Sequence, residues 1–260
     1  MELHLTNKVV AITGGSKGIG FQSALQFVQE GAHVAICARG EKQLQVAKES
    51  ILQQTGKEIS IFACDVSKEE DCKSFIEGVV ARYGKIDILI NNAGTSAAFS
   101  FDHVGTELWK NDLDLKLFSA INCSKVAVEH MRKNNGGSII NVTAVLAKTP
   151  PANSLPTTVS RAAGIALTKA MSKDLGPSNI RVNTVCIGLI RSAQIENRWK
   201  EQAADLTWDE YSKKVGESIP LGRIGDTEEA ANMIVFLSSP AASYISGTAI
   251  NIDGGSSPSY

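Results

Sequence analysis

Eight residues near the N-terminus, Thr13-Gly14-Gly15-Ser16-Lys17-Gly18-Ile19-Gly20, have the make-up of a phosphate cradle. Glycines at 14, 18 and 20 let the backbone turn tightly and let a helix start approach a pyrophosphate closely. The free N–H groups of that helix start, with their partial positive charge, then face the anion, and Ser16, Lys17 and Ile19 lie in the same turn. A glycine-rich loop by itself is a common turn. This one lies between an apolar run, Lys8–Thr13, and a helically spaced run, Ile19–Gln29, which is the strand-to-helix setting a dinucleotide requires. A carboxylate at the end of the second strand commonly accepts from the ribose 2′-hydroxyl of NAD(H). Here that stretch reads Cys37-Ala38-Arg39-Gly40, with no acid. Arg39 can fork onto a 2′-phosphate and Lys17 can reach the same group, so the pair favours NADP(H). Either residue alone reads equally well as a solvated charge.

Such a cradle needs a sheet behind it. Apolar runs at Lys8–Thr13, His33–Ala38, Ile59–Cys64, Ile86–Ile90, Ser138–Thr143, Ile180–Cys186 and Thr248–Ile252 predict strands. Between them, helical spacing predicts helices over Ile19–Gln29, Glu41–Gln54, Lys68–Tyr83, one long helix within Glu107–Lys133, Thr157–Leu175 and Glu228–Leu237. Gly31 and Gly56 read as stops. The pattern loosens after Gly188, through Trp208 and Tyr211. Alternating strands and helices with short connections give a doubly wound parallel sheet, an α/β Rossmann fold, and no linker or repeat divides residues 1–260.

Composition excludes several classes. The 260 residues carry a formal net charge of -1 and no run of Lys and Arg, so nothing global draws in nucleic acid or an anionic membrane. The start, Met1-Glu2-Leu3-His4-Leu5, is too short and polar for a signal peptide, and no apolar stretch approaches the roughly 20 residues of a membrane helix. Cys37, Cys64, Cys72, Cys123 and Cys186 lack CxxC spacing and read as reduced, buried thiols of a cytoplasmic protein. His4, His33, His103 and His130 lack ligand spacing, so no metal is expected.

Taken together, the glycine loop, Asn91-Asn92-Ala93-Gly94 after the fourth strand, and Pro220-Leu221-Gly222-Arg223 through Asp253-Gly254-Gly255 resemble the short-chain dehydrogenase/reductase family from about Lys8 to Gly255. The resemblance implies that Asp65 and Val66 lie along the adenine, and that Asn92, Ala93 and Gly94 line its ribose side. It places Gly188, Ile190 and Ser192 beside the nicotinamide, although Ile187 stands where the family usually has proline. It also implies a homotetramer paired through the Glu107–Lys133 and Thr157–Leu175 helices, and a substrate lid containing Trp199, Trp208 and Tyr211.

The family's carbonyl reductases usually carry an Asn, Ser, Tyr, Lys set. Alignment on Ser160, Ala162 and Ala163 puts Thr157 at the Tyr position, Arg161 at the Lys position and Ala144 at the Ser position. Trp109 with Leu113-Asp114-Leu115 puts Lys116 at the Asn position. No tyrosine occurs between Tyr83 and Tyr211, so no shift of register restores the set. A threonine hydroxyl is a far poorer proton donor than a phenol, and Arg161 stays protonated yet can hold ribose hydroxyls. Lys116 is the titratable newcomer; burial and the Arg161 charge should both lower its pKa and leave it partly neutral. Lys148 and Arg191 are further candidates for positive charge at the mouth, or simply solvated. The leading expectation is an NADP(H)-dependent oxidoreductase with a rebuilt proton-transfer site and an anionic small-molecule substrate. The competing expectations are a catalytically silent NADP(H)-binding sensor or partner subunit, and a lyase or isomerase using Lys116 as base.

Overall fold

Val9–Thr13 (β1) is buried along its whole length, as a central strand of a parallel sheet must be. Its side chains alternate between two cores. Val10 and Ile12 join Phe27, Ile36, Ile90 and Ile140 on one face, while Val9 and Ala11 join Phe75, Ile76, Leu89 and Met131 on the other. The computed structural model describes residues 2–259. In chain order the remaining strands are β2 (His33–Ala38), β3 (Ser60–Ala63), β4 (Ile88–Asn91), β5 (Ala98–Phe99), β6 (Gly137–Ala144), β7 (Leu155–Pro156), β8 (Ile180–Ile187) and β9 (Ala249–Ile252). The helices are α1 (Gly18–Gln29), α2 (Glu41–Thr55), α3 (Glu69–Tyr83), α4 (Thr106–Leu113), α5 (Ser119–Lys133), α6 (Thr157–Leu175), α7 (Ala193–Gln202), α8 (Trp208–Val215) and α9 (Thr227–Ser238).

Seven strands form one sheet in the order β3-β2-β1-β4-β6-β8-β9, with parallel neighbours throughout. The winding reverses between β1 and β4, and at such a switch point the strand ends leave a crevice for a ligand. This is the single-domain Rossmann fold that the strand and helix alternation predicts. Three departures matter for the site. The long helix over Glu107–Lys133 is interrupted by a π-turn at Asp114–Phe118, which joins α4 to α5 and carries Lys116. The loose region after Gly188 is two helices, α7 and α8, each with a side-chain cap, Ser192 on Ile195 N–H and Thr207 on Glu210 N–H. A small antiparallel ribbon, β5 with β7, pairs Ala98 with Pro156 and Phe99 with Leu155. Two-residue strands carry no periodicity, so that ribbon left no mark in the sequence.

The ribbon holds the start of α6, where the Thr157 N–H donates to Ala97 C=O at 3.2 Å. Deeper along α6, Thr168 pins the helix to the sheet: its hydroxyl accepts from Asn141 Nδ2 at 2.8 Å and from Thr184 at 2.6 Å. It donates in turn to Gly164 C=O at 3.0 Å. No helix among the described residues is long and apolar enough to cross a membrane.

Candidate active site

The glycine loop is shaped by contacts that only glycine allows. Gly14 and Gly18 have φ of 67° and 59°, and a Cβ at Gly20 would lie 2.4 Å from Gly14 C=O. Space beside Gly18 is open, so the N-terminus of α1 faces outward with room for a pyrophosphate. Lys17 caps α1 with its side chain exposed, and Ser16 and Ile19 are half-buried beside it. Arg39 is exposed at the end of β2. Asp65 lies close by: burial alone would raise its carboxyl, but two hydrogen bonds from Ser67 and the Arg39 charge hold it below its ordinary value. Val66 is buried, and its carbonyl accepts from the Cys72 thiol. All five cysteines are buried, and burial pushes the Cys37 and Cys186 thiols up.

Asn92, just after β4, lies against the glycine loop. Its amide donates to Thr13 C=O and Gly14 C=O, both at 3.0 Å, and so braces the glycine loop from beneath. Thr13 completes the brace by accepting the N–H groups of Asn92 and Ala93 at 3.0 and 3.1 Å. A side chain at Gly94 would meet the Arg161 guanidinium at 2.6 Å. Arg161 itself donates to Val142 C=O at 2.5 Å; burial lowers its pKa and the Asp112 charge opposes this.

At the far end of the crevice, Gly188 N–H donates to Ile252 C=O at 2.9 Å, and Ile190 pairs with Gly225. A Cβ at Gly188 would stand 2.7 Å from the Asp253 Cα, a backbone atom that cannot swing away. Gly188→Ala is therefore expected to destabilise the fold by ~1–3 kcal/mol, read as a lowered urea midpoint with unchanged slope. The Lys148 amine donates to Ala249 C=O at 2.8 Å and Asn251 Oδ1 at 2.6 Å, tying the loop after β6 to β9. Arg191 pairs with Glu196 at 2.7 Å and lies over the Trp208 ring at 4.3 Å. Trp199 packs edge to face on Trp208, Tyr211 lies tilted against Trp208, and the three join Ala203 and Ile224 in one apolar layer.

The centre lies between α4, the π-turn and α6. Lys116 is buried, its side chain 1 % exposed, and its amine touches two groups. One is the Asp112 carboxylate, a turn earlier and 3 % exposed; the other is Thr157 Oγ1 at 2.6 Å. Thr157 Oγ1 also accepts from Ala97 N–H at 2.9 Å. Both lone pairs of that oxygen are then taken, which leaves its hydrogen free to donate elsewhere. Ser160 donates to the second Asp112 oxygen at 2.6 Å. Burial pushes Lys116 down to about 8; the hydrogen bond to Asp112 resists this, the Arg161 charge adds to it, and the Asp112 charge opposes it. The lowering that the sequence leads one to expect, from burial and the Arg161 charge, is present, and the structure adds Asp112 as an opposing acid. Asp112 pairs with Lys116, and its charge acts on Arg161 as well, in each case opposing the fall in pKa. Ala144, at the end of β6, offers only a methyl group.

Residues 14–257 match the family described as Enoyl-(Acyl carrier protein) reductase. The chain is 32% identical over 251 residues to the 3-oxoacyl-(acyl-carrier-protein) reductase of Chlamydia trachomatis, covering 96% of this chain and 98% of that one. It is 33% identical over 252 residues to human dehydrogenase/reductase SDR family member 4, covering 96% and 88%. The chain belongs to the short-chain dehydrogenase/reductase superfamily. Among solved members, L-sorbose reductase from Gluconobacter frateurii, complexed with NADPH and L-sorbose, superposes with a TM-score of 0.93 at 32% identity over 100% of both chains. A short-chain oxidoreductase from Pseudomonas aeruginosa containing an atypical catalytic center superposes with a TM-score of 0.93 at 32% identity, over 97% of this chain and 98% of that one.

Two contacts of the Lys116 cluster lie outside the reading by family position, namely Asp112 with Lys116 and Ser160 with Asp112. Asp112 was nonetheless signalled: it precedes Lys116 by one helical turn, the spacing at which opposite charges meet. Ser160 carried no such mark, because its partner lies on another helix.

Proposed function

We propose that this protein is an NADP(H)-dependent oxidoreductase in which Lys116, Thr157 and Arg161 replace the usual proton-transfer set. The observation that carries the reading is the buried Lys116 amine on the Thr157 hydroxyl. The glycine cradle, its open helix end and the acid-free end of β2 fit a 2′-phosphorylated dinucleotide. When bound, the cofactor supplies a hydride equivalent. Thr157, its oxygen lying on the Ala97 N–H and the Lys116 ammonium, turns its free hydrogen toward the substrate oxygen. Lys116 then returns a proton to Thr157, and Arg161 holds ribose hydroxyls. That a short-chain oxidoreductase from Pseudomonas aeruginosa contains an atypical catalytic center, and has an NADPH-bound structure, supports a nonstandard centre on this fold.

With Asp112 included, Asp112, Lys116 and Arg161 together carry one net positive charge while Lys116 is protonated, and none when it is not. An anionic substrate favours the protonated state, which is the state that donates. A cytoplasmic homotetramer belongs to the same reading; Phe118 and Val159, half-exposed apolar residues of the π-turn and α6, suit a helix-to-helix interface.

Loss of NADPH absorbance across a panel of carbonyl compounds tests the proposal. Simple ketones are expected to turn over slowly, since acid assistance worth ~10²–10⁴ in rate is missing with the phenol. A charged carbonyl substrate should be faster, and Thr157→Ala should reduce its rate about 100-fold. No oxidation of NADPH with any substrate would instead favour a silent nucleotide-binding protein.

A further inference from the structure

Asp112 neither gives nor takes a proton in the exchange described so far, yet it is one of the most deeply buried acids among the described residues. Its two oxygens are used separately. One meets the Lys116 amine and the other accepts from Ser160 at 2.6 Å, so the carboxylate is clamped between α4, the π-turn and α6. Ser160 is held in turn, near Thr157 C=O at 3.0 Å. A lysine side chain has four rotatable carbons, and a free amine on that stem would not stay on one hydroxyl. Here it lies on Thr157 Oγ1 at 2.6 Å while the carboxylate holds the same amine as a second partner.

We propose that Asp112, oriented by Ser160, is the positioning residue of this centre: it fixes the Lys116 amine on Thr157 and keeps that amine in its proton-carrying form. The inference rests on the reading of Lys116 as the proton source, but it concerns a bond and a charge that exist whether or not the protein turns over a substrate. The charged groups acting on Lys116 are Asp112 from α4 and Arg161 from α6, while Thr157 supplies the neutral contact and Ser160 bonds the carboxylate. Among the described residues, Asp112 is thus the single negative charge opposing both burial and Arg161.

The test is a titration of the Lys116 side chain, followed by NMR of 13C-labelled lysine in the full-length protein and assigned by the signal missing from Lys116→Met. Asp112→Asn keeps the shape and one acceptor while removing the charge. The Lys116 midpoint is expected to fall by about 1–3 pH units, the usual influence of an opposite charge at this range. Ser160→Ala is the gentler variant should the amide fail to fold; it leaves the charge but frees the carboxylate, and a smaller fall in the same direction is expected. A merely structural Asp112 would lower thermal stability and leave the midpoint where it was. An unmoved midpoint in both variants overturns the inference. A shifted midpoint in a protein that oxidises no NADPH upholds it and counts only against the oxidoreductase reading.

Discussion

Lys116→Met is expected to abolish turnover while leaving NADPH affinity within a few fold of the parent. The side chain lies between α4 and α6 and away from the glycine cradle, so its loss spares the groups that would hold the nucleotide. Methionine keeps similar bulk but carries no proton, and the loss of acid assistance should lower kcat by ~10²–10⁴. The substitution also strands the Asp112 carboxylate, whose remaining contact is Ser160. Removing one partner of a buried ion pair costs ~3–5 kcal/mol, so some destabilisation is expected as well. The double variant Asp112→Leu with Lys116→Met separates the two effects. An apolar pair in that place should recover most of the lost stability and none of the turnover. In the parent, the reductive kcat/KM should decline above pH about 8, where the Lys116 ammonium gives up its proton, and stay level just below it. A Lys116→Met protein as active as the parent would make the amine structural and end the proposed mechanism.

Much of this architecture could be read from residue order. Val10 and Ile12 against Val9 and Ala11 show the two-sided burial of a central strand, and all seven sheet strands fall within the predicted runs or a residue beyond them. The glycine cradle was legible because its turn forbids side chains at Gly14 and Gly20 on steric grounds. What escaped depends on pairings across distance. The β5–β7 ribbon is two residues deep on each side, and only the meeting of Ala98 with Pro156 brings Ala97 onto Thr157. The π-turn is a local change of winding that Asp114–Phe118 announces with no proline or glycine. The Asp112 to Lys116 spacing is local, but the second contact of that carboxylate, with Ser160, exists only because α6 packs on α4. Family position can assign expected places along the chain, whereas only the fold shows which neighbours the side chains there meet.

Arg39→Asp is expected to reverse the choice of cofactor. In the parent, NADPH should bind at least ~10-fold more tightly than NADH, because a charge-assisted bond to the 2′-phosphate contributes ~1.5–3 kcal/mol and each 1.4 kcal/mol is a factor of ten. Arg39 stands exposed at the end of β2 with Lys17 exposed at the head of α1, so both can move to meet that phosphate without rearranging the core. Aspartate at position 39 does two things at once. It removes the fork and sets a negative charge against the phosphate, which should weaken NADPH by ~100-fold or more. It also supplies an acceptor for the ribose 2′-hydroxyl, so NADH should hold its affinity or gain. Asp65 already lies near this corner, its carboxyl lowered in part by the Arg39 charge. Reversing position 39 would place two acids together and deepen the repulsion. Arg39→Ala should fall between the two, losing NADPH affinity without improving NADH. Because the attraction is solvent-exposed, the parent's preference should also shrink as salt is raised. Fluorescence titration of both cofactors against parent, Arg39→Ala and Arg39→Asp reads all of this. Equal affinities in the parent, or a ratio untouched by Arg39→Asp, would place the 2′-phosphate contact elsewhere, with Lys17→Ala as the next variant to titrate.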